Sequence, residues 1–445
     1  MKNQVNPGSF YIESLGCAKN SVDSRSMAEL LIRAGYKESE KPEKAGVVIV
    51  NTCGFILPAR EESLRTLRKF AAAKTEGQVL IAAGCLSEKE KHQLASEVEG
   101  LDAAFGTRRW ADIVRVVEKA SQHPVSPYLH FPETPMIEES SHKVARVAVQ
   151  GGSAYLKIAD GCDRGCAFCA IPLIKGPMVS RPVESILDDA VLLQEMNAKE
   201  IILIAQDSTA YGRDLGMRDG LPLLLKEIVK AVPNIPWLRV MYTFPGAISD
   251  DLVRVMAENN QVLPYLDIPL QHAHPDILKR MRRPADIQVV KETISKVRRL
   301  IPDVALRTTF IVGFPDETEA EFKYLLNFLV EMRFDHVGIF PYYHEEGTSA
   351  YQVEDNIAPG KKEERIQKLA AAQEEISLEI NKSYIGKSLD ILIEGNGSGI
   401  SAGRSYRDAP EIDGLVFLDE VISPGSLIKG RVTGALIHDL IAKRQ

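Results

Sequence analysis

Apolar runs and helical periods alternate over the first quarter of the chain. Three short apolar runs, at residues 10–15, 46–51 and 79–83, are bounded by turn residues and predict β-strands. Helical patterns separate these runs at residues 26–34 and 59–73. Because each helix leads from one strand to the next, this part of the chain predicts βαβ units in an open α/β domain with a parallel sheet.

A longer alternating series predicts a second domain. Its six predicted strands lie at residues 154–160, 200–205, 237–242, 265–268, 305–312 and 335–340. The helical patterns that separate them lie at residues 183–197, 221–231, 249–259, 275–300 and 317–333. This alternation predicts a partial, TIM-like (β/α)6 barrel, in which functional residues are expected at the carboxyl ends of the strands.

The last part of the chain begins with a long polar helix, predicted at residues 361–383. Short β-type runs at residues 389–394, 415–418 and 427–433 are separated by glycines and predict a small antiparallel, OB-like β-barrel. Such barrels often bind RNA, but residues 378–445 carry eight Lys and Arg against nine Asp and Glu, with few aromatic side chains. This near-neutral charge favours a protein partner over nucleic acid, although nucleic-acid contact stays open.

These patterns describe an α/β multidomain protein. We place the N-terminal domain at residues 8–122 and a linker rich in Pro, Ser and His at residues 123–143. The barrel domain follows at residues 144–383 and the terminal β-barrel at residues 384–445. A chain of 445 residues, 45% of them hydrophobic, is long enough to bury several cores.

Composition narrows the class of protein. The formal charge of −7 weighs against a surface built mainly to hold nucleic acid. No stretch approaches the roughly 20 apolar residues of a membrane helix, and the first ten residues lack the apolar run of a signal peptide. Six cysteines are too few for a disulfide scaffold in a chain of this length. We therefore expect a cytoplasmic protein without a membrane partner, whose thiols are available for metal binding.

Three of these cysteines stand together in one loop. Cys162, Cys166 and Cys169 form a C-x-x-x-C-x-x-C run among Gly, Asp and Arg. Three thiolates can hold three irons of a four-iron cluster and leave the fourth iron open for chemistry. Zinc is the second choice, because zinc usually takes four ligands, or three and a water, and the loop has no His. Buried or disulfide-paired cysteines are a poorer fit, since three is an odd number and the loop is polar.

The other three cysteines each follow one of the first three predicted strands. Cys17, Cys53 and Cys85 stand at equivalent places in S-L-G-C, V-N-T-C and A-A-G-C. The carboxyl ends of parallel strands meet at one edge of a sheet, so we expect these thiols to lie close together and to hold a second iron–sulfur cluster. The alternative is that cysteines simply favour buried strand ends.

The loop that carries Cys162, Cys166 and Cys169, called the compact loop below, has Phe168 just before its last cysteine and resembles the cluster loop of radical S-adenosylmethionine (SAM) enzymes. Together with Cys17, Cys53 and Cys85, called the dispersed set below, it resembles the methylthiotransferase family within that superfamily. The runs G-C-A-K-N-S-V-D-S (residues 16–24), N-T-C-G-F-I-L-P-A-R-E-E-S (51–63) and G-R-S-Y-R-D-A-P-E-I-D-G (403–414) are most similar to the branch that acts on a ribosomal protein. The resemblance implies an N-terminal methylthiotransferase domain, a radical SAM barrel and a terminal barrel of the TRAM type.

The resemblance also implies the activity. Two 4Fe–4S clusters would work with SAM in two roles, as methyl donor and as source of a 5′-deoxyadenosyl radical that removes hydrogen from a substrate carbon. The substrate would be the β carbon of an aspartate in the small ribosomal subunit protein S-twelve, with an external reductant and an external sulfur donor. No catalytic residue is assigned beyond the cluster ligands. Methylthiolation of isopentenyladenosine in tRNA, a single-cluster radical SAM enzyme and an iron–sulfur carrier remain alternatives.

Candidate SAM contacts lie at the carboxyl ends of the barrel strands. The A-Q-D-S-T segment resembles the segment that contacts the methionyl end of SAM, and I-V-G-F-P-D-E-T loosely matches the segment that contacts adenosine. The candidates are Phe168, Gln206, Asp207, Arg307, Thr309 and Gly313. The alternative is that they are ordinary polar residues at strand ends.

Two cations and two histidines near these segments have open roles. Lys175 and Arg181 follow the cysteine loop and would meet a carboxylate of SAM or substrate, or lie on a solvated surface. His272 and His274 are too few for a separate metal site, so we expect a structural role or a place on the rim that faces substrate.

Overall fold

The computed structural model describes residues 6–122, 126–132 and 144–445. The chain divides into two compact units. The first unit contains Met1–Ala148 together with two short later segments, Asp160–Arg164 and Ala170–Val179. The second unit contains the remaining residues up to Gln445.

A six-stranded sheet organises the first unit. Its strands are β1 (Asn6–Ser14), β2 (Lys37–Glu38), β3 (Ala45–Thr52), β4 (Val79–Gly84), β5 (Ala103–Phe105) and β6 (Tyr128–His130). All neighbouring strands are parallel, in the order β2-β1-β3-β4-β5-β6. The helices are α1 (Ala18–Arg33), α2 (Leu57–Ala73), α3 (Cys85–Glu90), α4 (His92–Glu97) and α5 (Ile113–Gln122). The predicted open α/β domain is confirmed.

Strand β3 lies inside this sheet and is buried along its whole length. Its side chains alternate between two hydrophobic cores: Val47 and Ile49 contribute to one, and Val48 and Val50 to the other. A parallel strand covered on both faces reads as a continuous apolar run, which is why the sequence predicted it well.

Two elements of the first unit differ from the sequence prediction. Helix α1 begins at Ala18, eight residues before the predicted start. The hydrophobic pattern does not show this start, because the side chains that the first two turns bury include polar ones such as Asn20 and Asp23. Strand β6 lies within the predicted linker and pairs with β5. Three residues are too few to show a strand pattern. The other residues of that predicted linker, 123–125 and 133–143, lie outside the described residues.

The barrel strands follow in the predicted order. The strands of this region are β7 (Val147–Gln150), β8 (Ser153–Lys157), β9 (Ala159–Asp160), β10 (Val179–Ser180), β11 (Glu200–Ile204), β12 (Trp237–Val240), β13 (Tyr265–Asp267), β14 (Ala305–Val312) and β15 (His336–Pro341). Three sheets form: β12-β11-β8-β7, β13-β14-β15 and the two-stranded β10-β9. A parallel bridge pairs Leu238 of β12 with Val262 just before β13. Strands β8, β11, β12, β13, β14 and β15 are the six of the predicted (β/α)6 barrel, which is confirmed.

Helices follow most of these strands. They are α6 (Ile171–Lys175), α7 (Val183–Glu195), α8 (Gly220–Ala231), α9 (Asp250–Glu258), α10 (Pro275–Arg280), α11 (Ile287–Leu300), α12 (Glu319–Met332) and α13 (Pro359–Lys382). Helix α12 begins where it does because Thr318 and Glu321 form a capping box. Within the described part of the chain, no helix is both long and apolar enough to cross a membrane.

The chain ends in a closed five-stranded barrel. Its strands are β16 (Ser388–Gly397), β17 (Ile400–Arg404), β18 (Val416–Leu418), β19 (Leu427–Ala435) and β20 (Leu440–Arg444), in the order β16-β17-β18-β20-β19. The predicted small barrel is confirmed, with one difference in strand direction. Strands β18 and β20 pair in parallel. After β18 the chain first forms β19, and β20 then runs antiparallel to β19 and lies beside β18.

Buried ion pairs fix this terminal barrel to the (β/α)6 strands within the second unit. Glu200, at the start of β11, lies 2.6 Å from Arg239 Nε and 2.7 Å from Arg404 Nη2. Burial alone would raise the pKa of Glu200, but the two guanidinium groups outweigh it and lower the pKa to about 2. The carboxylate therefore stays charged, and each buried arginine keeps its counter-ion.

Candidate functional site

Cysteines gather at the carboxyl edge of the first sheet. Strands β1, β3 and β4 are neighbours, and each is followed within three residues by one of Cys17, Cys53 and Cys85. Thr52 and Gly84, the last residues of β3 and β4, are paired in register, so the cysteines that follow them start from adjacent positions. The expectation that these three strand ends meet at one edge is confirmed.

Two glycines make this close approach possible. Gly16 has φ +89°, and a Cβ there would lie 2.8 Å from the Cβ and 2.9 Å from the Sγ of Cys53. Gly84 has φ +95°, and a Cβ there would lie 2.5 Å from the backbone oxygen of Thr52. Both glycines directly precede a cysteine, Cys17 or Cys85, so the backbone turn that aims each thiol requires a residue without a side chain.

Buried amides hold the strand ends in place. The Asn20 Nδ2 donates to the carbonyl oxygens of Leu15 at 2.8 Å and Thr52 at 3.1 Å, which belong to neighbouring strand ends. Its Oδ1 accepts from the Sγ of Cys85 at 3.8 Å. Asn51 Nδ2 donates to the Asn20 carbonyl at 2.9 Å. The buried polar face at the start of α1 therefore holds these strand ends together, and its polarity is also the reason why the sequence pattern missed the start of the helix.

The three thiols lie within electrostatic reach of one another. Cys53 and Cys85 are buried, whereas Cys17 is exposed. Burial raises the pKa of Cys85 to about 12; Lys175 acts in the opposite direction, and the Cys17 and Cys53 thiols add to the rise. A metal bound here would displace the thiol protons. Soft sulfur donors in a space kept open by Gly16 fit an iron–sulfur cluster.

The compact loop also begins with a glycine in the left-handed region. Gly161 has φ +82°, and a Cβ there would lie 2.8 Å from the carbonyl oxygen of Gly176. The next residue, Cys162, donates its N–H to that same carbonyl at 3.0 Å. The Cys162 Sγ accepts the backbone N–H of Arg164 at 3.4 Å. A sulfur that accepts an N–H group is well suited to act as a thiolate ligand.

Cys166 and Cys169 belong to the second unit. Cys169 donates its N–H to the Cys166 carbonyl at 3.1 Å, which closes a tight turn. Arg283 Nη1 donates to the Cys166 Sγ at 3.5 Å. The same guanidinium lies 4.3 Å from the ring centroid of Phe244 and donates to the Pro269 carbonyl. Like the Cys162 thiol, the Cys166 thiol therefore has a hydrogen-bond donor.

The assignment of the six cysteines as iron ligands stays a prediction. Within residues 6–122, 126–132 and 144–445, no three Cys, His, Asp or Glu side chains are preassembled as a metal-binding group. The structure brings the dispersed cysteines to one edge and gives the compact loop donors to sulfur, and both donor sets suit iron. It does not fix the ligands.

Three of the candidate SAM contacts closely follow strands of the second unit, and a fourth, Phe168, packs against a buried cluster of that unit. Gln206 and Asp207 follow β11, and the buried Asp207 accepts the hydroxyl of Thr209. Gly313 follows β14 with φ +71°. Phe168 packs against a buried cluster, whose members are Ala167, Ile277, Met281, Phe314, Tyr342 and Ala350. Contact of these four residues with SAM stays a prediction.

Arg307 and Thr309 lie on β14, the fifth of the six predicted barrel strands. The Arg307 guanidinium lies 3.2 Å from both Asp267 Oδ1 and Asp413 Oδ1, and Asp413 belongs to the terminal region. It also lies 3.4 Å from Thr309 Oγ1. Arg307 is therefore already paired with two protein carboxylates, and its contact with SAM stays a prediction.

Lys175 and Arg181 are buried, not solvated, and both contact carboxylates of the protein itself. Arg181 Nη2 lies 2.8 Å from Asp189 Oδ2, and Lys175 contacts Asp23 and Asp160. His272 is fully buried beside Glu317 at 3.4 Å, and burial lowers its pKa. His272 therefore has the expected structural role.

Sequence reasoning did not identify Asn20, Asn51 or Arg283. The two asparagines lie within runs that carry the family resemblance, but amides have no metal-ligand signature. Arg283 stands 117 residues after Cys166, and no local pattern connects them.

Comparisons with known proteins agree with the three-part fold. The model of the family described as "Uncharacterized protein family UPF0004" matches residues 9–106, the radical SAM superfamily model matches residues 156–329, and the TRAM domain model matches residues 385–444.

Similar proteins cover nearly the whole chain. The ribosomal protein uS12 methylthiotransferase RimO of Roseiflexus castenholzii is 44% identical over 97% of this chain and 95% of its own length. The proteins of the same name from Chloroflexus aurantiacus and a Thermoanaerobacter species are 44% and 42% identical, each over 97% of this chain and 98% and 99% of their own lengths.

A solved structure shares the fold. The radical SAM methyltransferase TsrM from Kitasatospora setae, with tryptophan and a SAM analogue bound, superposes with a TM-score of 0.56 at 12% identity. The match covers 91% of this chain and 80% of TsrM.

Proposed function

The chain belongs to the radical SAM methylthiotransferase family that includes the ribosomal protein uS12 methylthiotransferases, and we propose that it methylthiolates the β carbon of an aspartate in uS12, the protein S-twelve. It is a transferase, and its superfamily uses SAM and 4Fe–4S clusters. The observation that carries the proposal is the meeting of three cysteine-bearing strand ends at one sheet edge, because a radical SAM enzyme that only makes a radical needs the compact loop alone.

We propose two clusters and two SAM molecules per reaction. Cys162, Cys166 and Cys169 would hold one cluster. Cys17, Cys53 and Cys85 would hold the other. When bound, the clusters would supply the electron that cleaves SAM and the site at which sulfur and a methyl group are combined.

The protein's own residues would position these groups. Asn20 and Asn51 hold the strand ends that carry the dispersed cysteines. Arg283 and the Arg164 N–H would hold two loop sulfurs and stabilise their negative charge. The SAM-binding residues we propose are Phe168, Gln206, Asp207, Arg307, Thr309 and Gly313. No separate acid or base is assigned, because hydrogen-atom abstraction by a radical moves no proton through a side chain.

We also propose the domain boundaries and partners predicted from sequence: residues 8–122, 144–383 and 384–445 as domains, with an external reductant and an external sulfur donor. The terminal barrel would face a protein. Residues 378–445, which contain this barrel, carry eight Lys and Arg against nine Asp and Glu. This charge does not favour binding to the phosphate backbone of a nucleic acid.

The test is anaerobic reconstitution with SAM, a reductant and sulfide, followed by mass spectrometry of uS12. We expect uS12 to gain one methylthio group in place of one hydrogen on a single aspartate. A uS12 variant with alanine at that aspartate is the control. Bulk tRNA, tested in parallel, should stay unmodified. Methylthiolation of tRNA with unmodified uS12 would overturn the substrate assignment in favour of the tRNA-modifying alternative.

A further inference from the structure

A buried ammonium group lies beside the dispersed cysteines. Lys175 ends α6 and is 4% exposed. Its Nζ lies 2.6 Å from Thr107 Oγ1 and 3.2 Å from both Asp23 Oδ2 and Asp160 Oδ2. An ammonium has three N–H donors, so these three acceptors satisfy all of them. The position of the charge is therefore fixed from three sides.

Ion pairs connect the acceptors of this ammonium to a second cation. Asp23 also forms an ion pair with Arg146, so two carboxylates, Asp23 and Asp160, meet two cations, Arg146 and Lys175. Although burial alone would lower the pKa of Lys175, the two carboxylates raise it, so the group stays charged.

Helix α6 also packs against a cysteine of the dispersed set. Cys85 packs in a buried cluster with Ala170 and Ile174, which belong to the start and body of that short helix. Ile174, a member of this cluster, directly precedes Lys175 in the chain, so the ammonium-bearing residue adjoins a residue that packs with Cys85. A positive charge with little exposure to water acts strongly on negative charge nearby, because the local dielectric constant is low.

Helix α6 is also held firmly in this place. Arg108 Nε donates to the Ile174 carbonyl at 3.0 Å, and its guanidinium lies so close to Gly176 that a Cβ there would be 2.8 Å from Nη2. Asp23 lies on α1, which starts directly after Cys17, and Asp160 stands two residues before Cys162. Through Asp160 and Asp23, Lys175 therefore connects the segment just before Cys162 with helix α1, which follows Cys17.

We propose that Lys175 is a positioning residue for the dispersed cysteine site and raises the reduction potential of a cluster bound to Cys17, Cys53 and Cys85. The fixed ammonium would stabilise the extra negative charge that such a cluster gains on reduction. This inference rests on the proposed function only in that a cluster must bind there. A lysine that served only to hold α6 would leave the potential unchanged.

The test isolates this site in a variant in which Cys162, Cys166 and Cys169 are all alanine. In that background, Lys175→Met, Lys175→Arg and the exposed control Lys119→Met are compared by iron content and by a redox titration followed by electron paramagnetic resonance. We expect Lys175→Met to disfavour reduction at least tenfold, about 59 mV for a one-electron couple. Lys175→Arg should recover most of the shift, and Lys119→Met should show none.

A second variant guards against failure to fold. Lys175→Gln keeps N–H donors for Asp23 and Thr107 but lacks the charge, and should show the same shift as Lys175→Met. Iron bound with an unchanged potential in either neutral variant would overturn this inference alone. A triple-alanine parent that binds no iron would overturn the proposed two-cluster function, and this inference with it.

Discussion

The dispersed cysteine set is assembled by the order of strands in a sheet, whereas the compact set is assembled by spacing along one loop. Cys17, Cys53 and Cys85 are separated by 35 and 31 intervening residues, and only the adjacency of β1, β3 and β4 brings their strand ends together. The loop cysteines are at most seven residues apart. The first set therefore depends on the whole sheet, and the second on local backbone geometry.

The two sets also differ in how their sulfurs are surrounded. Cys53 and Cys85 are buried, the Asn20 amide oxygen accepts from the Cys85 thiol, and the buried ammonium of Lys175 acts electrostatically on both thiols. The loop cysteines are half-buried, and Cys166 receives an N–H directly from a guanidinium. The dispersed site should therefore be sensitive to changes in the packing of the sheet, and the compact site to changes in single hydrogen-bond donors.

The largest effect should come from removing one cysteine of each set. Cys85→Ala should abolish methylthio transfer but leave SAM cleavage intact, because the compact loop is untouched. Cys166→Ala should abolish both. Chromatography of 5′-deoxyadenosine and mass spectrometry of uS12 measure the two activities. Loss of both activities from each variant would contradict the division of labour between the sets.

A methyl group added at Gly84 should disturb the dispersed site through its backbone. Gly84→Ala combines a left-handed φ with a Cβ 2.5 Å from the Thr52 carbonyl oxygen, so we expect a cost of about 2–4 kcal/mol. Gly77→Ala is the matched control, because its φ of +79° is similar but nothing lies within 4 Å. That change should cost about 1 kcal/mol. Urea unfolding of the iron-free protein measures both, and equal losses would contradict the account.

Asn20→Ala should weaken the same site through hydrogen bonds. The change removes two N–H donors from the carbonyl oxygens of Leu15 and Thr52, at a cost of about 1–3 kcal/mol. Iron bound by the dispersed set should fall, with the compact set unaffected. Asn259→Ala, which removes one bond to the Val255 carbonyl, is the control and should leave iron content unchanged. An equal loss of iron from both sets would remove Asn20 from this role.

The smallest effect should follow from a single donor at the compact loop. Arg283→Gln removes a charged donor to the Cys166 sulfur, so reduction of a cluster there should become harder. We expect SAM cleavage to slow about tenfold, which is about 1.4 kcal/mol. The adjacent, exposed Arg282→Gln is the control. A rate that falls equally in both variants would show that Arg283 does not act through the sulfur.

The sequence predicted most of the fold because the buried strands are continuous apolar runs. It missed the start of α1 because the buried face there is polar, and it missed β6 because three residues carry no period. The cysteines could be recognised from spacing and from strand ends. Asn20, Arg283 and the carboxylate partners of Lys175 could not, since tertiary contacts far apart in sequence define them.

The dispersed and compact cysteine sets should bind two independent clusters. The direct measurement is iron and sulfide content after anaerobic reconstitution, for the natural sequence and for the variant with alanine at Cys162, Cys166 and Cys169. We expect about eight irons per chain in the natural sequence and about four in the variant. A fall from about four irons to none would mean that Cys17, Cys53 and Cys85 are structural and would overturn the assignment of two clusters.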